Sequence, residues 1–169
     1  MNTKPKRILI FDDDYESMEP LKLFLEEVSG YSVELTARAD IPNRLATERF
    51  DLLCIDLMIH PVSLDAQLQE VTNLHFTGVN WQKTGLTLLE RLRRGDFDQN
   101  DQAAGHNDSQ NNHQSSTQAN VPVIVLSAVA DRSTDELTIT DDPLTEYWEK
   151  PFDLEEIIGA IERLLRIRN

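Results

Sequence analysis

Three short runs of apolar residues constrain the fold of this chain more than any other feature. They cover residues 7–11, 52–55 and 121–126, and all their residues except Arg7 and Pro122 are apolar. Unbroken runs of this length, rich in β-branched side chains, are typical of strands covered on both faces. Such strands occur almost only in parallel sheets with helices on either side, so the runs predict that arrangement.

Amphipathic segments lie between these runs, so predicted helices and strands alternate. Residues 31–36 alternate between polar and apolar as a half-buried strand does, and residues 146–149 could form a short fifth strand. A short helix is predicted around residues 41–49. Two longer helices have apolar stripes, which are Met18, Leu21, Leu25 and Val28 before Gly30, and Leu154, Ile158, Ile161 and Leu165. The alternation predicts an α/β fold with a parallel sheet between layers of helices.

Two segments interrupt the alternation, and we interpret both as insertions into a single domain that spans residues 1–169. Residues 62–84 have leucine and valine at helical spacing, which favours a short extra helix packed on the body. Residues 95–120 contain five Asn and five Gln, with Phe97 as the one large apolar side chain. Because such a segment buries too little to offset its ordering entropy, a flexible, solvated loop is predicted there.

Charge and composition narrow the classes of function. With 16 Lys and Arg against 30 Asp and Glu, the formal net charge is −14. This field repels phosphate backbones and anionic lipid, which predicts no direct nucleic-acid or membrane partner. The single cysteine, Cys54, cannot form an internal disulfide, and no apolar stretch approaches the roughly 20 residues of a membrane span. No signal peptide is recognisable. A soluble, cytoplasmic protein is predicted.

Carboxylates follow two of the apolar strands directly. Asp12 and Asp13 follow the first run and Asp56 follows the second. In an open α/β sheet, ligand sites form at the carboxyl ends of the strands, and neighbouring strands lie about 4.8 Å apart, so these side chains should converge. Three like charges so close repel one another unless a cation neutralises them, and oxygen-only ligands suit Mg²⁺ or Mn²⁺. Acidic residues that merely solvate a loop are the alternative.

Complementary groups follow two other predicted strands. Ser127 comes directly after the third apolar run, and Lys150 lies just beyond the fifth predicted strand. A hydroxyl, an ammonium group, a metal and a carboxylate together can stabilise a phosphoryl group in transfer. Asp56 could then be the nucleophile that forms an acyl phosphate. Read separately, Ser127 is more often a backbone-bonded hydroxyl and Lys150 a surface ion pair.

Five ordered motifs give the chain a resemblance to a known family. The sequence resembles the response-regulator receiver domain of two-component signalling, similar to CheY. The matching stretches are ILIFDDD at 8–14, FDLLCIDLM at 50–58, TGLTLLERLR at 84–93, VPVIVLSA at 121–128 and EYWEKPFDLEE at 146–156. The resemblance implies a flavodoxin-like, doubly wound fold with five parallel strands in the order 2-1-3-4-5 and helices on both faces.

The resemblance also implies a role for each site residue. Asp56 would accept a phosphoryl group from a sensor histidine kinase or a histidine phosphotransfer protein. Asp12 and Asp13 would hold Mg²⁺ together with Asp56, and the backbone carbonyl of Met58 would be a further metal ligand. Ser127 would be the switch hydroxyl, Lys150 the phosphate-binding cation and Tyr147 the aromatic side chain whose rotamer reports activation. The chain would then be no enzyme beyond its own phosphorylation and dephosphorylation.

The chain departs from the family pattern beside the predicted phosphorylation site. The family usually has proline four residues after the phosphorylated aspartate, whereas Pro61 lies five after Asp56, and an insertion precedes Gly85. Because the chain ends soon after the last predicted helix, we expect a stand-alone receiver. Such a receiver would signal by contact with an unidentified target protein, and it could form a homodimer.

Two other functions stay open at this point. Asp12 and Asp14 form the Asp-x-Asp pair of a haloacid-dehalogenase-type phosphatase, with Ser127 and Lys150 as its later motifs. That family places its last acidic pair after the lysine, whereas Asp141 and Asp142 precede Lys150, and Asp56 would have no role. The other alternative is a receiver-like binding module that is not phosphorylated, which the altered loop after Asp56 leaves possible.

Overall fold

The computed structural model describes residues 4–38, 40–59, 84–98, 117–128 and 142–167. Strands and helices alternate from the first strand to the fourth, as the apolar pattern predicts, and residues 129–141, between the fourth and fifth strands, lie outside the described residues. In chain order they are β1 (Arg7–Phe11), α1 (Tyr15–Glu27), β2 (Ser32–Thr36), α2 (Ile41–Thr47), β3 (Leu52–Asp56), α3 (Thr84–Arg93), β4 (Val123–Ser127), β5 (Thr145–Glu149) and α4 (Leu154–Ile167).

The five strands form one sheet in the order β2-β1-β3-β4-β5, and every neighbouring pair is parallel. The order and direction predicted from the sequence are therefore confirmed. From β1 the chain continues to one side of the sheet, and from β3 it continues to the other side. The winding direction thus switches between β1 and β3, which is where open α/β sheets place their ligand sites.

The alternation of side chains along each strand divides the core into two layers. On one face, Leu9, Phe11, Leu53 and Ile55 pack with buried residues of α2 and α3. On the other face, the intervening strand residues pack with buried residues of α1 and α4. Helices therefore cover both faces of the sheet, as predicted, and the central strands carry the continuous apolar runs because both of their sides are buried.

The helix ends correct two details of the predicted stripes. Val28 is 68% exposed and is the C-cap of α1, so it does not belong to the buried stripe that Met18, Leu21 and Leu25 form. In α4 the buried face is wider than predicted and includes Ile157 and Leu164. Asp153 caps the start of α4, because its carboxylate accepts hydrogen bonds from the backbone N–H groups of the first helical turn.

Residues 95–98 and 117–120, the two ends of the loop predicted to be flexible and solvated, are part of the fold. The prediction was wrong for these two ends. Phe97 is 2% exposed in the core below α3, and Thr117 is fully buried. The Thr117 hydroxyl donates to the Glu48 carbonyl at 2.6 Å and accepts from the Phe50 N–H at 3.2 Å, so burial and hydrogen bonds offset its ordering entropy. Residues 99–116 lie outside the described residues, as does the predicted extra helix before Thr84. Among the described helices, none is both long and apolar enough to cross a membrane.

Candidate phosphoryl and cation site

The predicted site residues come together at the carboxyl edge of the sheet. Asp12 follows β1 and is fully buried, and Asp56 is the last residue of β3 and is 6% exposed. With the half-buried Asp13, they offer carboxylate oxygens that all lie within 4.8 Å of one another. Their placement at the ends of two neighbouring strands predicted this convergence.

Each of the two buried carboxylates is oriented by the loop that follows it. Oδ1 of Asp12 accepts a hydrogen bond from the N–H of Asp14 at 2.9 Å. In the same way, Oδ1 of Asp56 accepts from the N–H of Met58 at 2.9 Å. Aspartate commonly bonds the backbone two residues onward, because its side chain is short enough to close that turn. One oxygen of each carboxylate is thereby fixed and the other faces the site.

The outward oxygens of both carboxylates contact the same ammonium group. Nζ of Lys150 donates to Oδ2 of Asp12 at 2.7 Å and to Oδ2 of Asp56 at 2.6 Å. The lysine follows β5, and its backbone N–H donates to the Ser127 carbonyl at 2.7 Å, which ties the ends of β4 and β5 together. The Lys150–Pro151 peptide bond is cis.

Burial and charge act in opposite directions on the titrating groups. Burial raises the pKa of Asp12 to about 6, with the charge of Asp56 adding to the rise and the bond from Lys150 opposing it. Burial alone would lower the pKa of Lys150, but its bonds to Asp12 and Asp56 raise that pKa above its ordinary value. Burial, together with the negative charge of Asp12, raises the pKa of Cys54 to about 12 and keeps its thiol protonated. The single positive charge of Lys150 therefore does not neutralise the negative charges of both Asp12 and Asp56.

The donor set fits a hard divalent cation. Asp12, Asp13 and Asp56 supply oxygen ligands alone, and one carboxylate oxygen of each lies within 4.8 Å of the others. Magnesium prefers this kind of site, in which a few carboxylates leave room for water or phosphate oxygens.

Ser127 and Tyr147 lie on the strands that lead to the site. Ser127 is the last residue of β4 and is 1% exposed, and it follows Leu126, which is paired in register with Asp56. Tyr147 lies on β5 beside Val125, is half-buried, and packs against the core layer below α2 and α3. The structure therefore places the hydroxyl of Ser127 at the same edge as Asp56 and places Tyr147 two residues before the end of the neighbouring strand.

Gly85 is a residue of this region whose role the sequence reasoning missed. A Cβ atom at this position would lie 2.0 Å from the Asp56 carbonyl oxygen and 2.9 Å from the Leu57 Cα. The N–H of Gly85 donates to the Leu57 carbonyl at 3.1 Å. Glycine therefore lets α3 begin directly against the backbone at the end of β3. A glycine in the first turn of an otherwise apolar helix, where alanine would be more favourable, was the signal available in the sequence.

Comparisons with known proteins agree with the fold. No protein-family model matches the chain. A curated relative from Synechocystis sp., named DNA-binding dual master transcriptional regulator RpaA, is 27% identical over 161 residues, which cover 95% of this chain and 49% of the relative. The chain thus spans about half the length of this relative.

Solved structures of receiver domains are similar over nearly the whole chain. A CheY-like response-regulator receiver domain from Methanospirillum hungatei JF-1 has a TM-score of 0.62 at 20% identity, covering 96% of this chain and 95% of that one. A response regulator from Burkholderia pseudomallei, solved with a phosphorylated aspartic acid and a calcium ion, has a TM-score of 0.57 at 18% identity, covering 96% and 71%. The chain has the receiver-domain fold.

Proposed function

We propose that this chain, which has the fold of CheY-like response-regulator receiver domains, is a signalling switch that accepts a phosphoryl group on Asp56. One observation carries the proposal. The Asp56 carboxylate lies within 4.8 Å of the Asp12 and Asp13 carboxylates and also accepts a 2.6 Å bond from the Lys150 ammonium. A carboxylate with a cation on one side and further acidic ligands on the other is suited to bind and receive a phosphoryl group.

The proposed transfer uses groups of this chain for positioning and charge. A carboxylate oxygen of Asp56 attacks the phosphorus of a phosphohistidine donor, an O–P bond forms, and the N–P bond breaks with its electron pair left on the donor imidazole. Lys150 neutralises the charge of the phosphoryl oxygens. Mg²⁺ (or Mn²⁺), which we assign to Asp12, Asp13, Asp56 and the Met58 carbonyl, would supply further neutralisation when bound.

The proposed switch follows from the charge that phosphorylation adds. An acyl phosphate brings about 1.5 to 2 negative charges and strong acceptor oxygens to a site where one ammonium already serves two carboxylates. Lys150 and the Ser127 hydroxyl would bond the phosphoryl oxygens. Because the Lys150 N–H is bonded to the Ser127 carbonyl, the ends of β4 and β5 would move together, and Tyr147 on β5 would respond.

We propose protein partners for both the input and the output of this switch. The phosphoryl donor would be a sensor histidine kinase or a histidine phosphotransfer protein. The output would be direct contact with a target protein, and the chain could also form a homodimer. The relative from Synechocystis sp. is named as DNA-binding, but this chain spans about half of its length. A net charge of −14 opposes direct contact of this chain with nucleic acid. A cytoplasmic location stays a prediction.

The position of Asp142 weighs against the phosphatase alternative. Its carboxylate is 2.6 Å from the Arg93 guanidinium and accepts from the Leu144 N–H, just before β5 begins. It therefore lies at the amino edge of the sheet, opposite Asp56, and cannot act as the last acidic group of a phosphatase site. The phosphodonor experiment below distinguishes the switch from a binding module that is not phosphorylated.

Exposure to a small phosphodonor tests the proposal. The chain, Asp56→Asn and Asp51→Asn are incubated with acetyl phosphate and Mg²⁺, and their intact masses are measured. Asp51 is the matched control because it directly precedes the same strand and its carboxylate accepts the Arg7 N–H. One acid-stable, base-labile phosphoryl adduct is expected on the chain and on Asp51→Asn, and none on Asp56→Asn. An unmodified wild-type chain would refute the switch, and continuous release of phosphate would indicate a phosphatase.

A further inference from the structure

We propose that Tyr15 is a positioning residue for the cation site, because its hydroxyl fixes the loop that carries Asp13. The inference rests on the proposed function of the site and adds to it a residue outside the acidic trio. The sequence places Tyr15 two residues after Asp13, at the first position of α1. Tyr15 is 48% exposed, so burial does not account for its placement.

The loop from Asp12 to Tyr15 is attached at both ends to the carboxyl end of β2. At the first end, the N–H of Asp12 donates to the Thr36 carbonyl at 3.0 Å. At the second end, the Tyr15 hydroxyl accepts from the N–H of Ala37 at 2.9 Å. Thr36 and Ala37 are consecutive and nearly fully buried. Two points of one rigid strand end thus hold a loop of four residues.

Asp13 lies between these two attachments. Within the loop, the Asp14 N–H donates to the Asp12 carboxylate, and the Asp14 carboxylate accepts from the Ser17 N–H at 3.2 Å as the N-cap of α1. These bonds fix Asp12 and the start of the helix relative to each other. The Tyr15 hydroxyl adds a contact between the first residue of the helix and the residue that follows the neighbouring strand β2. Loss of that contact would let the first turn of α1, and Asp13 with it, move relative to Asp56.

A positioning role differs from a purely structural one in what it predicts for cation affinity. If the hydroxyl only satisfied the Ala37 N–H, its removal would lower stability and leave the cation affinity of the folded protein unchanged. If it positions Asp13, the affinity falls because one ligand no longer holds its place. Residues that orient metal ligands typically change affinity by about 10- to 100-fold when mutated, and an effect transmitted through the backbone should be smaller, about fivefold.

The test compares the chain with Tyr15→Phe and Tyr31→Phe. Phenylalanine keeps the ring and removes the hydroxyl, and Tyr31 is the control because it directly precedes β2, at the end of that strand away from the site. Two quantities are measured on the unphosphorylated proteins below their melting temperatures: the Mg²⁺ dissociation constant by calorimetry, and the hydrogen exchange rate of the Ala37 amide. Tyr15→Phe should raise the dissociation constant about fivefold and speed Ala37 exchange, whereas Tyr31→Phe should change neither.

Three results would overturn the inference. An unchanged exchange rate at Ala37 in Tyr15→Phe would show that the hydroxyl does not hold this amide. Faster exchange with an unchanged Mg²⁺ dissociation constant would show a structural contact alone, and the proposed function would stand. Failure of both the wild-type chain and Tyr31→Phe to bind Mg²⁺ would remove the cation site itself, and the inference with it.

Discussion

A single ammonium group, that of Lys150, lies between two buried carboxylates that repel each other. The side chain of Lys150 is 14% exposed, and those of Asp12 and Asp56 are 0% and 9% exposed. Removing one partner of a buried ion pair leaves an uncompensated charge, which is costly in a medium of low dielectric constant. In the absence of metal, the Lys150 ammonium therefore offsets part of the repulsion between the Asp12 and Asp56 carboxylates.

Replacement of this lysine should destabilise the protein in a way that Mg²⁺ relieves. We expect Lys150→Met to lower the free energy of unfolding by about 3–5 kcal/mol without metal, and by less with saturating Mg²⁺, because the metal replaces the lost positive charge. Lys22→Met is the control, since Lys22 pairs with Glu26 on the surface and such pairs contribute at most about 1 kcal/mol. Urea unfolding with and without Mg²⁺ measures both. Equal losses in the two variants would contradict the expectation.

Residues that act at the ends of strands were predictable, and residues that act through a distant partner were not. Asp12 and Asp56 follow apolar runs, so their convergence follows from sheet geometry alone. Tyr15 bonds Ala37, 22 residues away, and periodicity does not specify which side chain reaches which amide. Thr117 was misjudged for the same reason, because its buried hydroxyl is satisfied by backbone groups 67 and 69 residues away.

At the level of elements, the contact of α3 with β3 fixes the backbone around Asp56. The first turn of the helix approaches the Asp56 carbonyl so closely that a Cβ at Gly85 would lie 2.0 Å from it. The neighbouring atoms are backbone atoms, which cannot rotate away. A larger residue would therefore displace the helix, the strand end, or both.

Gly85→Ala should both destabilise the fold and slow phosphorylation. We expect a loss of roughly 2 kcal/mol or more in the free energy of unfolding, as for overpacked sites, and a slower rate of adduct formation with acetyl phosphate. Gly159→Ala is the matched control, because it lies in α4 and a methyl group there would meet no atom within 4 Å, so it should be neutral or stabilising by up to about 1 kcal/mol. Similar effects of the two substitutions would refute the close approach.

A network of ion pairs joins α2 to the edge strand β2 and to its neighbour β1. Arg44 of α2 bonds the carboxylates of Glu34 and Glu48, and Arg7 of β1 also bonds Glu48 at 2.6 Å. The bond from Arg44, with that from Arg7, lowers the pKa of Glu48 to about 2 against the opposing effect of burial. Because the folded pKa is below the ordinary value of 4.5, this stabilisation is present above about pH 4.5 and is lost as the pH falls towards about 2.

Removal of the Glu48 charge should therefore flatten the acid side of the stability profile. We expect the free energy of unfolding of Glu48→Gln to fall less steeply between about pH 4.5 and about pH 2 than that of the wild-type chain. Glu19→Gln is the control, since the Glu19 side chain is 50% exposed and its nearest ammonium is 3.8 Å away. Denaturant unfolding over this pH range measures the slopes. Parallel profiles for the wild type and Glu48→Gln would contradict the assignment.

The molecule as a whole brings residues distant in sequence to one edge because all five strands are parallel. Asp12, Asp56, Ser127 and Lys150 each end or follow a strand, and the sheet order places those strands side by side. The fold class was predictable because both faces of the central strands are buried, which imposes continuous apolar runs. The sheet order came from the resemblance, since periodicity does not determine which strands are neighbours.

Mg²⁺ binding should stabilise the whole fold, because the cation binds a site that the unfolded chain lacks. A ligand at about 100 times its dissociation constant raises the free energy of unfolding by about 2.7 kcal/mol. We expect a rise of that size for the wild-type chain and a smaller one for Asp13→Asn at the same Mg²⁺ concentration. Thermal unfolding measures it, with a monovalent salt at equal ionic strength as the control. An equal rise with the monovalent salt would argue against a specific site.

The identity of the phosphorylated residue tests the central claim most directly. After phosphorylation with acetyl phosphate and Mg²⁺, borohydride reduces the acyl phosphate of an aspartate to the alcohol of homoserine, and peptide mass spectrometry locates it. We expect homoserine at position 56 and at no other aspartate. Homoserine at another position, with Asp56 unmodified, would contradict the claim.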